Sequence, residues 1–464
     1  MQESIIIKFL KSWKNENGTV NSTENLLEWI SGLNKSTYVS VNECSINDSD
    51  MWFYDEDSGE VTNKNRSFFS IKGLRYSVND SIVAEQPIII QPEIGYLGII
   101  CKEINGVLNF LMQAKIEPGN INCVQISPTI QATKSNFTRV HGGKTPKYLE
   151  FFENSEKYNV IYDQIQSEQA ARFYKKRNRN MIMLIDENIE VYSNFKWMTL
   201  GQIKKLMEID NLVNMDTRTV LSGIPFAFEY FTDDNLCTAE IFFDDKSLFN
   251  SMFKANSIEV LPKIYRQIND YKMFQDIQMS IIPLTQLVDW EINEFGITCK
   301  NQANFMVRYY DIEIAGREIH KWTQPLIKAI GIATFGLFVK KSKDVKMFLI
   351  KINPEIGSFD KVELGPTVQW ESSHSSKDDN QIDKIFRTVY KNKKNILCDI
   401  MLSEEGGRFY HEQNRNIIIE IDENELIDLP DGYIWSDYGT LNLLIQVNNC
   451  LNIQLRNLLS LLKI

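Results

Sequence analysis

Apolar positions near the start of the chain recur at helical spacing: Trp13, Leu26, Leu27, Trp29, Ile30 and Leu33 predict helix over residues 4–34, broken by a polar stretch at 17–22. From Ser67 the texture shortens to apolar runs bounded by turn formers, which predicts strands at 68–73, 87–90, 94–101, 108–114 and 122–126. Asn105-Gly106 between two of these runs is a two-residue hairpin signal, because both residue types tolerate positive φ. The pattern then predicts helix over 146–174, a strand at 180–186 and a short closing helix at 197–207. The same order returns later, with strands at 305–314, 331–339, 346–352 and 360–364, helix up to Tyr410, and a strand at 416–422. Between the two series, residues 223–279 read as a mainly helical connector in which Phe226, Phe228, Phe231, Phe242 and Phe243 anchor a core or interface.

The return is not only one of texture. Pro128 and Pro366 lie 366 − 128 = 238 positions apart, and the same offset links Trp52 to Trp290, Gln86 to Gln324, Gly98 to Gly336, Gln131 to Gln369 and Trp197 to Trp435. Agreement over such distant anchors predicts two copies of one folding unit. The best-matched pair is Ser167-Glu-Gln-Ala-Ala-Arg-Phe-Tyr-Lys-Lys-Arg-Asn-Arg-Asn180 against Ser403-Glu-Glu-Gly-Gly-Arg-Phe-Tyr-His-Glu-Gln-Asn-Arg-Asn416, identical at eight of fourteen positions. Packing accounts for Phe173 and Phe409, but not for keeping Arg172, Tyr174 and Arg179 in step with Arg408, Tyr410 and Arg415. The expected fold class is α/β with two domains, residues 1–225 and 280–464, joined by a helical connector at 226–279.

Composition narrows the function. A chain of 464 residues that is 43% hydrophobic and 24% charged has the material for sizeable cores, and a net charge of −11 disfavours broad binding to nucleic acid or acidic membrane. Seven scattered cysteines without a CxxC pair argue against structural zinc and for reduced, buried thiols in a reducing compartment, read as cytoplasm. No targeting or membrane-spanning segment is expected.

The runs Gln113-Ala-Lys-Ile-Glu-Pro-Gly-Asn-Ile-Asn122, Gln125-Ile-Ser-Pro-Thr-Ile-Gln-Ala-Thr-Lys-Ser-Asn-Phe-Thr-Arg-Val-His-Gly-Gly143 and Arg317-Glu-Ile-His-Lys-Trp-Thr-Gln-Pro325 resemble the NDP-hexose 2,3-dehydratases of deoxysugar biosynthesis. The resemblance covers nearly the whole chain. It implies two tandem Nudix-like α/β/α sandwich domains related by duplication, a homodimer, and removal of the C2 hydroxyl from an NDP-4-keto-6-deoxyhexose, usually on dTDP. It further implies no metal and no cofactor, with the product passed to a 3-ketoreductase or aminotransferase. The residues agree on metal: neither copy carries the glutamate-rich helix with which Nudix hydrolases hold magnesium, since the corresponding stretches offer only Glu168 and Glu404, Glu405 and Glu412. Two departures from the family pattern predict unequal sites. Trp322 of the second copy faces Ala84 in the first, and Arg139 and His141 of the first face Lys377 and Asp379 in the second. One working site and one relic are expected, with the working one in the first half.

For such a reaction His141 beside Gly142-Gly143 is the first acid/base candidate; the bland alternative is a histidine that only hydrogen-bonds. Tyr174 and Tyr410 are proton-donor candidates or packing tyrosines, and Lys134 is an electrophile for the ketone or a solvated lysine. Arg139, Arg172, Arg177, Arg179, Arg408 and Arg415 suit phosphate oxygens, with Thr133, Ser135, Asn136 and Thr138 as neutral donors. Lys175-Lys-Arg-Asn-Arg179 also reads as an exposed basic helix end. Gln131, Gln324 and Gln369 are candidates to read base or sugar edges, and Trp322 to stack on the base or fill the core. Two rival functions remain at this point, a Nudix-type nucleotide-sugar hydrolase and a non-catalytic sugar-nucleotide binding protein.

Overall fold

The computed structural model describes residues 4–134, 145–227, 233–255, 257–301, 303–317, 319–426 and 428–464. Helices α1 (Ile5–Lys14) and α2 (Thr23–Ser36) open the chain, each started by a serine, Ser4 or Ser22, whose hydroxyl accepts a first-turn amide. Strands β1 (Val39–Glu43), β2 (Trp52–Asp55), β3 (Glu60–Asn63), β4 (Ser70–Val78), β5 (Ser81–Ile90), β6 (Gly95–Ile104), β7 (Val107–Ile116), β8 (Val124–Ser127) and β9 (Ile130–Ala132) follow. The first half closes with helix α3 (Leu149–Glu153), strands β10 (Asn159–Ser167), β11 (Arg177–Leu184) and β12 (Phe195–Thr199), and helices α4 (Leu200–Leu206) and α5 (Met215–Ser222).

The second half begins with helices α6 (Asp233–Glu240), α7 (Lys246–Phe253) and α8 (Ser257–Phe274). Its strands are β13 (Ile277–Ile282), β14 (Trp290–Asn293), β15 (Gly296–Cys299), β16 (Phe305–Ile314), β17 (Lys321–Ala329), β18 (Thr334–Ser342), β19 (Val345–Pro354), β20 (Val362–Gly365) and β21 (Val368–Trp370). After helix α9 (Gln381–Lys391) come β22 (Ile396–Ser403), β23 (Phe409–Tyr410), β24 (Gln413–Ile421) and β25 (Tyr433–Asp437), then α10 (Tyr438–Ile445) and α11 (Ile453–Ser460).

The two seven-stranded sheets share one order. In the first it is β10-β11-β6-β7-β12, with β9 on β6 and β8 on β7; in the second it is β22-β24-β18-β19, with β21 on β18 and both β20 and β25 on β19. Each has a single parallel contact between strands, β11 with β6 and β24 with β18. The expected Asn105-Gly106 hairpin joins β6 to β7 with φ of 53° and 75°, and its counterpart Lys343-Asp344 makes the same turn at 47° and 64°.

Two smaller sheets interlock the halves. β1 leads by sequence into β2, yet it pairs with β16 of the second half, Val39 opposite Ile314 and Glu43 opposite Tyr310. β13 leads into β14, yet it pairs with β4 of the first half, Ile277 opposite Val78 and Ile282 opposite Gly73. Val39 and Ile277 are again 238 positions apart, so each half lends its leading strand to the other. At the centre α5 packs on α11. Their fully buried arginines cross over: Arg218 donates to the Ser403 carbonyl at 2.8 Å, and Arg456 donates to the Ser167 carbonyl. One apolar core runs through both halves, from Phe9 and Phe110 to Phe348 and Leu458.

Several expectations need correction. The segment 146–174 is not one helix: α3 ends at Glu153 and β10 pairs antiparallel with β11 over Asn159–Ser167. Likewise the helical stretch expected up to Tyr410 ends with α9, and β22 pairs with β24. Val160, Ile161 and Ile165, and Ile396 and Ile400, supply apolar spacing that reads either way until a partner strand decides. Glu168, Glu404, Glu405 and Glu412 therefore stand on turns between strands, and the Lys175–Arg179 run is a turn entering β11, with Lys176 buried rather than exposed. The region expected as a connector holds α7 and α8, which pack as α1 and α2 do; Ser36 and Phe274, the ends of α2 and α8, are 238 positions apart. Phe226 is in the core and Phe242 and Phe243 pack against it, while Phe228 and Phe231 lie outside the described residues. All seven cysteines are free, but only Cys101 is buried and Cys237 is exposed. Among the described residues no helix is long and apolar enough to cross a membrane.

Candidate functional site

The turn after β10 and the turn after β22, the two best-matched stretches of sequence, each dock on the opposite half. Gly119, just past β7, donates its amide to the Gly406 carbonyl at 2.8 Å and accepts from the His411 amide at 2.9 Å. Gly357, just past β19, does the same with the Ala170 carbonyl (2.9 Å) and the Lys175 amide (2.8 Å). A Cβ at Gly119 would stand 1.6 Å from the Phe409 carbonyl oxygen, and one at Gly357 2.2 Å from that of Phe173, so the close approach demands glycine at both. Two junctions result, each built from one half's sheet and the other half's turn.

In the first junction, at the end of β7, Gln131 on β9 donates to Glu117 (3.2 Å) and accepts from Asn214, the N-cap of α5 (3.2 Å). Lys115 Nζ lies 3.1 Å from Glu117. The second half contributes Glu405, Gly406, Gly407 and Arg408. Arg408 is 5% exposed, lies over Phe68 and Phe69, and directs Nε and Nη2 to Gln91 Oε1, both at 3.2 Å. The β16–β17 hairpin covers this place: Arg317 donates to the Ile116 carbonyl (2.8 Å) and lies over Trp322, Trp322 donates to Gln324 (2.9 Å), and Gln324 donates to the Gly407 carbonyl (2.8 Å). Burial pushes the Glu117 carboxyl up, but Lys115, Arg317 and Arg408 together hold it below the usual carboxylate range. Asp216 in α5 goes the other way. Burial and then the neighbouring Glu168, Glu405 and Glu117 carboxylates push it well above that range. Burial also raises Glu405, with Glu117 adding to it against the pull of Arg408.

The second junction repeats the frame with a different filling. Gln369 on β21 donates to Glu355 (3.0 Å) and accepts from Asn452 (2.9 Å) and Asn353 (3.2 Å). Arg172 of the first half lies over Phe305 and donates to Glu371 (2.8 Å); its buried Nε has no partner among the described residues. Gln86 donates to the Ala171 carbonyl at 2.6 Å, as Gln324 does to Gly407. Here amides rather than cations surround the carboxyl, and burial pushes Glu355 up to about 7.

The sequence-chosen residues are thus divided. Gln131, Trp322, Gln324 and Arg408 come together in the first junction, and Thr133 and Lys134 follow the end of β9 at Ala132. Gln369 and Arg172 belong to the second, with Tyr174 held by its amide to the Ile89 carbonyl (2.9 Å). Ser135, Asn136, Thr138, Arg139, His141, Gly142 and Gly143 lie outside the described residues. The pairing of Arg172 with the Gln131 strand, natural from sequence proximity, does not occur. Arg179 forks onto Asp163 at 2.7 and 2.5 Å and Arg415 donates to Asp399 at 2.8 Å, matching cross-strand ion pairs. Arg177 lies 3.6 Å over Phe359, and Tyr410 is stacked between Tyr310 and His411. Sequence reasoning did not single out Lys115, Glu117, Asp216 or Glu405 as site residues. For three of them the signal is the internal match itself: Lys115 faces Asn353, Asp216 faces Gln454, and Glu405 faces Gln169 in the matched turns, whereas Glu117 faces Glu355 and offers no contrast.

Elsewhere His374, Asp379 and Asp383 present ligand atoms within 4.8 Å of one another. Protein donors already fill them. Arg387 forks onto Asp379 at 2.7 and 2.8 Å, His374 meets it at 2.8 Å, and the Trp370 indole donates to Asp383 at 2.8 Å. A recess of about 380 Å³ lies apart from both junctions, between the Lys343-Asp344 turn and the end of β24, lined by Lys341, Asp422 and Glu423 among others.

A family model described as NDP-hexose 2,3-dehydratase matches residues 23–224 and again 262–462. The chain belongs to the NDP-hexose 2,3-dehydratase family. It is 34% identical to the dTDP-4-dehydro-6-deoxy-alpha-D-glucopyranose 2,3-dehydratase of Saccharopolyspora spinosa over 96% of this chain and 92% of that one. Proteins of the same name from Amycolatopsis orientalis (33%; 96% of this chain, 90% of that one) and Streptomyces violaceoruber (32%; 95% and 97%) are similarly alike. A crystal structure described as an ADP compounds hydrolase aligns with 31% of this chain and 77% of its own at 13% identity, with a TM-score of 0.19, too weak a likeness to speak for fold or activity.

Proposed function

We propose that this dehydratase-family chain removes water across C2 and C3 of an NDP-4-keto-6-deoxyhexose, with dTDP-4-keto-6-deoxy-D-glucose as the favoured substrate, and yields the 3,4-diketo-2,6-dideoxyhexose. The observation that carries this reading is likeness along 96% of the chain to relatives named for that reaction. The C4 ketone acidifies the C3 hydrogen. A base takes it, the enolate expels the C2 hydroxyl as water, and the resulting enol tautomerises to the second ketone. The reaction class is that of a hydro-lyase and consumes no oxidant.

The first junction is the proposed working site. Lys115, Arg317 and Arg408 supply cations for diphosphate or a developing enolate, and Trp322 offers an aromatic face at its rim. β9, which places Gln131, leads directly into the stretch containing Arg139 and His141, proposed here to bind the diphosphate and to hydrogen-bond the sugar. The second junction, where the matching positions are Asn353, Asn79 and Arg172, is proposed as scaffolding. The shared sheet order supports a tandem duplication, and the two domains are proposed to be Nudix-like. With α7 and α8 counted as lead-in helices, the boundary falls near residue 230 rather than at a separate connector. A homodimer, a cytoplasmic location, turnover without metal or nicotinamide, and hand-over of the diketone to a reductase or aminotransferase complete the proposal.

The test is incubation of the protein with dTDP-4-keto-6-deoxyglucose and EDTA, a ketoreductase trap and mass spectrometry. Loss of one water is the expected result. Release of nucleoside monophosphate, or an unchanged substrate, would refute the reading.

A further inference from the structure

Two halves with one frame allow each polar side chain of the first junction to be compared with its counterpart in the second. Glu117, Gln131 and Asn214 recur as Glu355, Gln369 and Asn452, so the frame is kept. Two carboxyls are not. Asp216 becomes Gln454, and Glu405 becomes Gln169. Neither substitution is a matter of space, since glutamine is as large as the acid it replaces or larger. What the second junction lacks at these two positions is an ionisable group.

The two acids are also placed unlike ordinary structural carboxylates. Asp216 is 2% exposed and stands near the start of α5, yet its carboxyl accepts no hydrogen bond among the described residues. The side chain of Glu405 likewise has no hydrogen-bond partner there, whereas the buried Glu168 and Glu404 accept from Asn178 and Asn414 at 2.6 Å. A Cβ at Gly407 would lie 2.8 Å from Glu405 Oε1 and 3.4 Å from Glu117 Oε1, so both oxygens face the side of the turn that a missing side chain leaves open. No oxygen of either acid is among the fully enclosed polar atoms that lack a partner, so the two carboxyls are not sealed from the space at the junction.

We infer that Asp216 and Glu405 are the acid and the base of the dehydration, an assignment that rests on the dehydratase reading above. Asp216, buried and ringed by the Glu168, Glu405 and Glu117 carboxylates, which outweigh the Lys115 and Arg218 charges, holds a proton. Burial and Glu117 raise Glu405, and the Arg408, Lys115 and Lys176 charges oppose them in favour of its ionised form. Glu405 takes the C3 proton as the C3–H electron pair passes into the enolate. The C2–O bond then breaks, and the departing hydroxyl takes the Asp216 proton and leaves as water. The two carboxyls have now exchanged states. In the tautomerisation Asp216 accepts the proton of the C3 enol hydroxyl and Glu405 returns its proton to C2, which restores the pair without any other reactant.

The test compares Asp216→Asn and Glu405→Gln with wild type and with Glu355→Gln, in single-turnover reactions in deuterated water. Each variant's unfolding temperature is recorded, and so is its thermal shift on adding dTDP. Both first-junction variants are expected to keep the dTDP shift and to lose water at least about 10²-fold more slowly, while Glu355→Gln turns over like wild type. Glu405→Gln is further expected to stop deuterium entering C3 of unreacted substrate, which a merely structural role would leave in place. A folded Asp216→Asn or Glu405→Gln protein turning over at the wild-type rate overturns the assignment. If Asp216→Asn does not fold, Asp216→Glu must restore turnover, and its failure to do so in folded protein also overturns it. Failure of the dehydratase reading would show in the wild type alone, before any variant is compared.

Discussion

The two junctions are the same construction carried out with different chemistry. In both, a glutamine bridges a glutamate and a helix-capping asparagine, and an arginine from the opposite half lies on an aromatic ring. The first then adds Lys115, Arg317 and Trp322 and two carboxyls without partners; the second has Asn353, Asn79, Ala84 and two glutamines at those positions. The comparison separates what the fold requires from what chemistry requires. The amide frame and the glycine at 119 or 357 hold two halves together. The proposed function gives the charges a chemical role.

The comparison breaks most visibly at the shared glutamate. Glu117→Gln strips the counter-charge from Lys115, Arg317 and Arg408 and is expected to cost roughly 3–5 kcal/mol in urea unfolding, the range for opening a buried ion pair. Glu355→Gln should cost far less near neutral pH, because amides already surround that carboxyl. Equal losses would show that the two settings do not differ.

Next comes the arginine pair. Arg408→Ala is expected to lower kcat/KM by about 10²–10³, the size of a lost transition-state donor, while Arg172→Ala leaves it of the wild-type order. Unfolding curves of both variants guard against a loss of fold. An Arg172 effect equal to that of Arg408 would move catalysis into the second junction or spread it over both.

A smaller effect lies in pH. Burial pushes Glu355 and Glu168 up to about 7 and Glu363 and Glu412 up to about 8, whereas in the unfolded chain glutamate titrates near 4.3. Between these limits the folded protein binds more protons than the unfolded one. Stability should therefore fall as pH rises from about 5 to 7, a window in which the buried Lys204, lowered to about 7, stays largely protonated. Thermal melts across that range check it, and Glu355→Gln should flatten the slope where Glu117→Gln does not. The smallest expected effect is common to both halves: Arg179→Ala and Arg415→Ala should each cost only about 0.2–1 kcal/mol and leave turnover unchanged, since each guanidinium serves a half-exposed cross-strand ion pair.

Much of the frame was legible in the chain. The 238-residue offset announced the repeated sheet order, and Trp322 facing Ala84 announced unequal sites. The crossing was not legible. Arg172 follows the Gln131 strand by some forty positions and looks like its partner, but the turn that carries it reaches the opposite half, a result of long-range packing that local pattern does not encode. The exchange of β1 and β13 was hidden for the same reason. Lys115 and Glu117 stood inside a quoted motif yet drew no attention, because a charged residue at a strand end is usually solvated; only the contrast with Asn353, and the convergence of Arg317 and Arg408 from elsewhere, gives the pair meaning. Asp216, in a helix buried on every side, gave no local signal at all.

The most direct test of the claim that chemistry belongs to the first junction is water loss from dTDP-4-keto-6-deoxyglucose, followed by mass spectrometry, in two double variants, one in each junction. One is Lys115→Asn with Gln131→Ala; the other is Glu355→Gln with Gln369→Ala. The account predicts a fall of about 10² or more in the first and a rate of the wild-type order in the second. The opposite pattern, in proteins that unfold at the wild-type temperature, would contradict it.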